Sequence, residues 1–347
     1  MKKSRFPRLT AWAVCLLLAT SACHAESLRE KIDAILAAPE LEEAALSVRV
    51  VELPAGRVLY SYHADEPLPL ASNAKIVTTA AALDLLGGDF ELTTTLVAHG
   101  SVEKGALYGD LVVVGQGDPG ISEHWNGSDV MEPLRRFARE TRDAGLLRVE
   151  GDLVADDFYF DRQFHCPSWP SDQWIHWYEA PVAALAFNDN CVDAVIAPGP
   201  RAGGPADITL LPDVGYVTLR NRTKTSATRK RPSYGFYRKR FDNDVTAKGY
   251  YPLGAGPAKT NFTVHDPSLY LATALRKALA DEGIEVTGKV RRMVRDEYGK
   301  FEGGKVLAVH RTTLAEAVRF CNLNSQNLYA EMILKTMGRE VEGAGSF

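Results

Sequence analysis

Ser72 and Lys75 are a serine and a lysine three positions apart. On a helix, positions i and i+3 share a face, so the two side chains would sit side by side. A serine hydroxyl is a poor nucleophile until a base takes its proton. A lysine whose pKa is depressed by burial can be that base. Taken alone, the pair also reads as a Ser N-cap with a solvated lysine in the first turn. The next residues raise the chemical reading. Ile76, Val77, Ala80, Ala81, Leu83, Leu85 and Leu86 are apolar around most of a helix circumference, which predicts a buried helix. A lysine at the head of a buried helix needs a reason, because an unpaired internal ammonium is costly.

A second group, Ser325-Gln326-Asn327, falls in a short loop between two helical patterns, about 313–321 and 326–337. A serine and an asparagine two apart in a loop can point into one cleft. The hydroxyl can relay a proton and the amide can hold a peptide carbonyl. N-capping of the last helix is the other reading.

The elements that must position these residues can be followed along the chain. A helix is expected over 26–39, strands over 45–52 and 57–62, and then the helix after Ser72, which Pro67 and Pro69 precede and Gly87-Gly88 ends. Residues 93–98 and 106–114 read as strands and 131–144 as an amphipathic helix. From 150 to 260, aromatics, prolines and glycines interleave with short β-like runs, predicting a β-rich or mixed insertion. A helix returns at 267–283. Gly115 to Gly120 is read as a turn, since no Gly-Lys-Ser/Thr follows. Arg220 to Arg240 is strongly basic, either a solvated face or a contact for an anionic polymer of the cell envelope.

The 347 residues are 46% hydrophobic and 24% charged, as in ordinary globular chains. Lys2, Lys3, Arg5 and Arg8 precede an apolar stretch, Leu9 to Ala19, and small residues run to Ala25. This is the pattern of a secretory signal peptide, residues 1–25. Lipid attachment at Cys23 is the alternative, but Thr20 stands where leucine is usual. Removing those four basic residues and no acidic ones takes the formal charge from −4 to −8, which argues against nucleic acid as a partner. Cys166 and Cys191 can pair in an exported protein, and Cys321 reads as a buried free thiol. No cofactor or metal is expected: there is no His-Glu-x-x-His pairing and no CxxC spacing. No Gly-x-Ser-x-Gly elbow points to an α/β-hydrolase either.

Ser-x-x-Lys at 72–75 and Ser-x-Asn at 325–327, 253 positions on, together resemble the motifs of the penicillin-recognising serine enzymes, with Gln326 in place of the middle Asp. The chain from about 26 to 347 resembles one group of them, the D-alanyl-D-alanine carboxypeptidase/endopeptidase family, or class C low-molecular-mass penicillin-binding proteins. Further wording is shared at Gly109 to Pro119, Val154 to Phe160, Tyr178 to Asn190, Asp266-Pro267 and Ser325 to Glu331.

The resemblance implies an α/β (α+β) transpeptidase-like domain split by a large β-rich insertion. Its parts would be 26–92 and 262–347, with 93–261 inserted and a smaller domain nested at about 160–220. It implies Ser72 as acylated nucleophile, Lys75 as general base, Ser325 as proton relay and Asn327 as substrate holder. Asp156 and Phe160 would lend a subsite for the substrate side chain. The substrates implied are peptidoglycan stem peptides, with β-lactams as covalent inhibitors, in the periplasm and in peripheral contact with the envelope.

The family's Lys-Thr-Gly motif has no counterpart; Lys224-Thr225-Ser226 and Lys335-Thr336-Met337-Gly338 do not fit. A fragment of an active enzyme is the expectation, because a sheet missing that strand would expose an edge. A natural short form without turnover, binding peptidoglycan non-catalytically, is the alternative. A β-lactamase is a third reading, against which the large insertion stands.

Overall fold

The computed structural model describes residues 27–125, 127, 129–301 and 303–347. The expected signal peptide lies outside them. The chain divides into two units, Met1–Ala71 and Ser72–Phe347.

In the first unit, helix α1 (Leu28–Leu36) opens on a capping box, Ser27 and Glu30 bonding each other's backbone N–H. Strands β1 (Val48–Glu52) and β2 (Arg57–Tyr62) form an antiparallel hairpin. Tyr60 is buried on β2 and its hydroxyl donates to Asp33 of α1.

The second unit begins with helix α2 (Ala74–Leu86). Long strands β3 (Glu91–Glu103) and β4 (Ala106–Gln116) follow, then helix α3 (Glu132–Asp143) and strands β5 (Arg148–Val149) and β6 (Leu153–Asp156). Next come β7 (Cys191–Ala197), β8 (Asp207–Leu211), β9 (Thr218–Ser226), β10 (Ser233–Tyr237), β11 (Asp244–Pro252) and β12 (Ala258–Thr263). The remainder is α4 (Pro267–Asp281), β13 (Glu285–Val286), β14 (Val290–Arg292), β15 (Lys305–Thr313), α5 (Leu314–Asn324) and α6 (Asn327–Glu342).

Seven of these strands make one mixed sheet. Its main path runs β13-β5-β4-β3-β15, with β6 between β4 and β14. Alternation sets its inner face: Leu92, Thr94, Leu96 and Ala98 of β3 are buried in turn. Helices α3 and α4 pack on each other against that face, with Leu134, Phe137, Leu271 and Leu275 inside. Two three-stranded sheets, β12-β7-β8 and β10-β11-β9, account for the aromatic-rich stretch. Helices α2, α5 and α6 pack together as a separate group around Ala82, Leu314, Val318, Tyr329 and Ile333. This is a mixed α/β fold.

Four expectations change. Helix α2 is buried only at Thr79 and Ala82; Ile76 is 59% and Val77 64% exposed. A helix apolar all round carries no periodicity to say which side is covered, and here only the side toward α5 and α6 is. The sheet also crosses the expected boundary at 261/262, because β13, β14 and β15 pair with β5, β6 and β3. The smaller sheets run on to Thr263, past the expected nested limit at 220, since β7 is the central strand that pairs with β8 on one edge and β12 on the other. Finally, Cys166 and Cys191 are free thiols, as is buried Cys321. Cys191 opens β7 with its side chain inside the core, while Cys166 lies on a half-buried loop.

The basic run is also not uniformly solvated. The Arg238 guanidinium turns inward onto the carbonyls of Thr263, Val264 and Trp174, and burial lowers it to about 10.

Leu96 is fully buried in the sheet core, whereas Val102 on the same strand is 48% exposed. Leu96→Ala is expected to cost about 2–5 kcal/mol of unfolding free energy in urea denaturation. Val102→Ala is expected to stay within about 0.5 kcal/mol. Equal effects would contradict this core.

Candidate active site

Ser72 lies on a single 3-10 turn, Ala71–Asn73, that runs straight into α2. Lys75 is on the first turn of that helix. Its Nζ donates to Ser72 Oγ at 3.1 Å and to Ser325 Oγ at 3.4 Å. One ammonium thus joins two hydroxyls that are 253 positions apart in the chain. Ser72 is exposed and Lys75 half-buried, so the expectation of a buried ammonium is corrected. The side of α2 that carries Lys75 faces Ser325 without being enclosed.

Ser325 is placed by a helix ending. It is the C-cap of α5 in left-handed conformation, φ 54°, and its N–H bonds Cys321 O. A left-handed serine costs on the order of 1 kcal/mol, and such residues persist where surroundings hold them. Gln326 N donates to Cys321 O at 3.1 Å, and the Cys321 thiol donates to Gln326 O at 3.5 Å. Burial pushes that thiol up to about 11, with Lys75 opposing. Asn327 begins α6 and its Nδ2 donates to Tyr178 O at 2.8 Å.

A second tie fixes α2 to α5. Asn322 Nδ2 donates to Thr79 Oγ1 at 3.0 Å, and Thr79 Oγ1 donates to Lys75 O at 2.8 Å. This pair sits one helical turn from Lys75 and sets the distance between the two hydroxyl-bearing elements. Glu331 of α6 also feels the site: burial raises its carboxyl, while Lys335 and Lys75 oppose the shift.

The remaining expected residues lie elsewhere. Asp156 ends β6, half-buried, and accepts from Phe158 N at 3.1 Å. Burial raises its carboxyl above the usual range. Phe160 is 2% exposed in the core with Leu92, Ala184 and Ile333. Packing is the contact observed for Phe160, whose ring also borders a cavity lined by Phe158, Asp161 and Arg162.

Residues beyond the motifs complete the site. Gln326 Nε2 donates to Asp189 Oδ2 at 3.2 Å, and His124 Nε2 meets the same oxygen at 3.0 Å. The hydrogen bond with Asp189 raises the His124 pKa, against burial, and the charges of Asp189, Glu123 and Asp193 add to it. Asp189 stood within the shared wording at Asn188-Asp189-Asn190, but nothing in the sequence paired it with Gln326.

A family model described as "D-Ala-D-Ala carboxypeptidase 3 (S13) family" matches residues 28–347. The D-alanyl-D-alanine carboxypeptidase of Actinomadura sp. (strain R39) is 33% identical over 94% of this chain and 60% of its own length. The D-alanyl-D-alanine carboxypeptidase DacB of Haemophilus influenzae is 23% identical over 81% of this chain and 56% of its own. The chain therefore spans little more than half the length of the curated relatives it matches. Among solved structures, penicillin binding protein 4 from Haemophilus influenzae superposes with a TM-score of 0.71 at 22% identity, covering 86% of this chain and 64% of that one. The same protein complexed with a novel β-lactam gives 0.67 at 20% identity over 86% of this chain and 62% of that one.

Because its folded pKa is raised, His124 contributes stability that is fully present below its unfolded value, about 6.5. That contribution is lost as pH rises through the raised folded value. Wild type and His124→Gln should therefore differ most in unfolding free energy near pH 5 and converge in alkali. A difference that is flat with pH, or that grows with it, would rule this out.

Proposed function

Since the chain belongs to the D-Ala-D-Ala carboxypeptidase 3 (S13) family, we propose that it is a serine-type D-Ala-D-Ala carboxypeptidase/endopeptidase. It acts on peptidoglycan stem peptides and is acylated by β-lactams. The observation that carries this reading is the Lys75 amine within hydrogen-bond reach of both Ser72 Oγ and Ser325 Oγ.

The chemistry follows from that contact. Lys75 Nζ takes the Ser72 proton as Oγ attacks the carbonyl carbon of the D-Ala-D-Ala amide. The backbone N–H of Ser72 stabilises the developing oxyanion as one of its donors. The proton passes from Lys75 through Ser325 Oγ to the leaving amine, and the C–N bond breaks, leaving an ester on Ser72. Water then attacks that ester and returns Ser72 Oγ–H. Asn327 holds the peptide backbone, and Asp156 is the proposed contact for the substrate side chain. In this reading residues 1–25 export the chain to the periplasm, and no cofactor takes part. Among the described residues, no helix is long and apolar enough to cross a membrane. Helices α2, α5 and α6 are the proposed transpeptidase-like part, and the sheet-bearing segment between α2 and α5 is the insertion.

A fluorescent penicillin is expected to label the native protein covalently, and Ser72→Ala to abolish both the label and release of D-alanine from a D-Ala-D-Ala peptide. Labelling that survives Ser72→Ala would refute the assignment. So would binding to cell-wall sacculi with no D-alanine released by the wild type.

A further inference from the structure

Gln326, the middle residue of the Ser325-Gln326-Asn327 loop, has no part in the chemistry above, yet it is only 8% exposed. Its amide reaches Asp189 Oδ2, the oxygen that also meets His124. Asp189 sits in a turn of three successive left-handed residues, Asn188, Asp189 and Asn190, with φ of 50°, 52° and 57°. Asn and Asp tolerate that conformation best, but three in a row are costly, on the order of 1 kcal/mol each. Side chains hold the turn. Asn190 Nδ2 donates to Pro181 O at 2.8 Å, and Asn190 Oδ1 accepts from Phe187 N at 3.1 Å. Asn188 Nδ2 donates to Cys191 O at 3.1 Å.

The turn thus presents a single carboxylate to the loop between two reacting side chains. Asp189 Oδ1 and Gln326 Oε1 are themselves buried with no hydrogen-bond partner among the described residues. Ser325 is also the more distant of the two hydroxyls on Lys75, 3.4 Å against 3.1 Å, so a small loop shift breaks that contact first.

We propose that Asp189 is a positioning residue. By fixing Gln326 it sets where Ser325 Oγ and the Asn327 amide lie relative to Lys75. The charges facing this link are His124, which shares Oδ2, and Glu123 and Asp193, both held by Lys259. The proposal rests on the reading of Ser72 as nucleophile and Ser325 as proton relay.

The test is the rate of Ser72 acylation by penicillin, with the thermal unfolding midpoint measured in parallel. Asp189→Gly removes the carboxylate while keeping a residue at ease with positive φ. Gln326→Met removes the other side of the bond. Each is expected to slow acylation about tenfold or more, as a misplaced group does, and the double variant to be no slower than either single one. Asp189→Asn, whose Oδ1 can still accept from Gln326 Nε2, should restore the rate to within about threefold of wild type. The proposal is overturned by single variants within twofold of wild type, by effects that multiply in the double variant, or by Asp189→Asn failing to outperform Asp189→Gly. A wild type that takes no label at Ser72 would remove the premise instead, and is distinguishable on that ground.

Discussion

The site depends on one constraint: a single amine must reach two hydroxyls carried by different elements. Lys75 and Ser72 are local neighbours, and a first helical turn brings them together at little cost. Ser325 is not local. It reaches the amine only because α5 ends in a left-handed residue and α6 starts at once, folding the loop back toward α2. The Thr79–Asn322 bond holds the two helices at that spacing, and the Cys321–Gln326 contacts close the elbow. The loop is therefore tied to its own helix and, from one distant stretch of the chain, to Tyr178 and Asp189.

Those supports explain what the intervening residues do for the site. Tyr178 and Asp189 come from the stretch that leads into the smaller sheets, and they bond Asn327 and Gln326 at the start of α6. Asp118, two residues past the end of β4, has a carboxylate that accepts from Thr312 Oγ1 at 2.7 Å and meets His310, both on β15. β15 in turn hands the chain directly to α5. A defect in the sheet would thus be felt at Ser325 through the start of α5, without touching a reacting group.

How much of this could be read in advance follows from which contacts are local. The Ser72/Lys75 pair was legible because i, i+3 spacing on a helix is a geometric statement. The starts of α4, α5 and α6 were legible from apolar periodicity, but α5 and α6 run on past the expected 321 and 337 to Asn324 and Glu342. The exposure of α2 was not, since an evenly apolar helix hides its orientation. Strand partners were only partly legible: β3 alternates clearly and β4 carries a continuous apolar run, Leu111 to Val114, but that β13, β14 and β15 return to the same sheet depends on contacts formed late in the chain. Asp189 was within a stretch already singled out, yet its partner Gln326 lies 137 positions away, and no local pattern encodes such a pair. The free state of Cys166 and Cys191 likewise follows from which way β7 turns its first side chain.

The claim that Lys75 removes the Ser72 proton is tested most directly by Lys75→Arg. The guanidinium keeps the charge and much of the reach but has no neutral form near physiological pH. The account predicts that penicillin acylation of Ser72 falls by about a thousandfold in this variant, within the range expected for loss of a general base, while its unfolding midpoint is held. Acylation within a few-fold of wild type would contradict the account, because the charge alone, and not proton transfer, would then suffice.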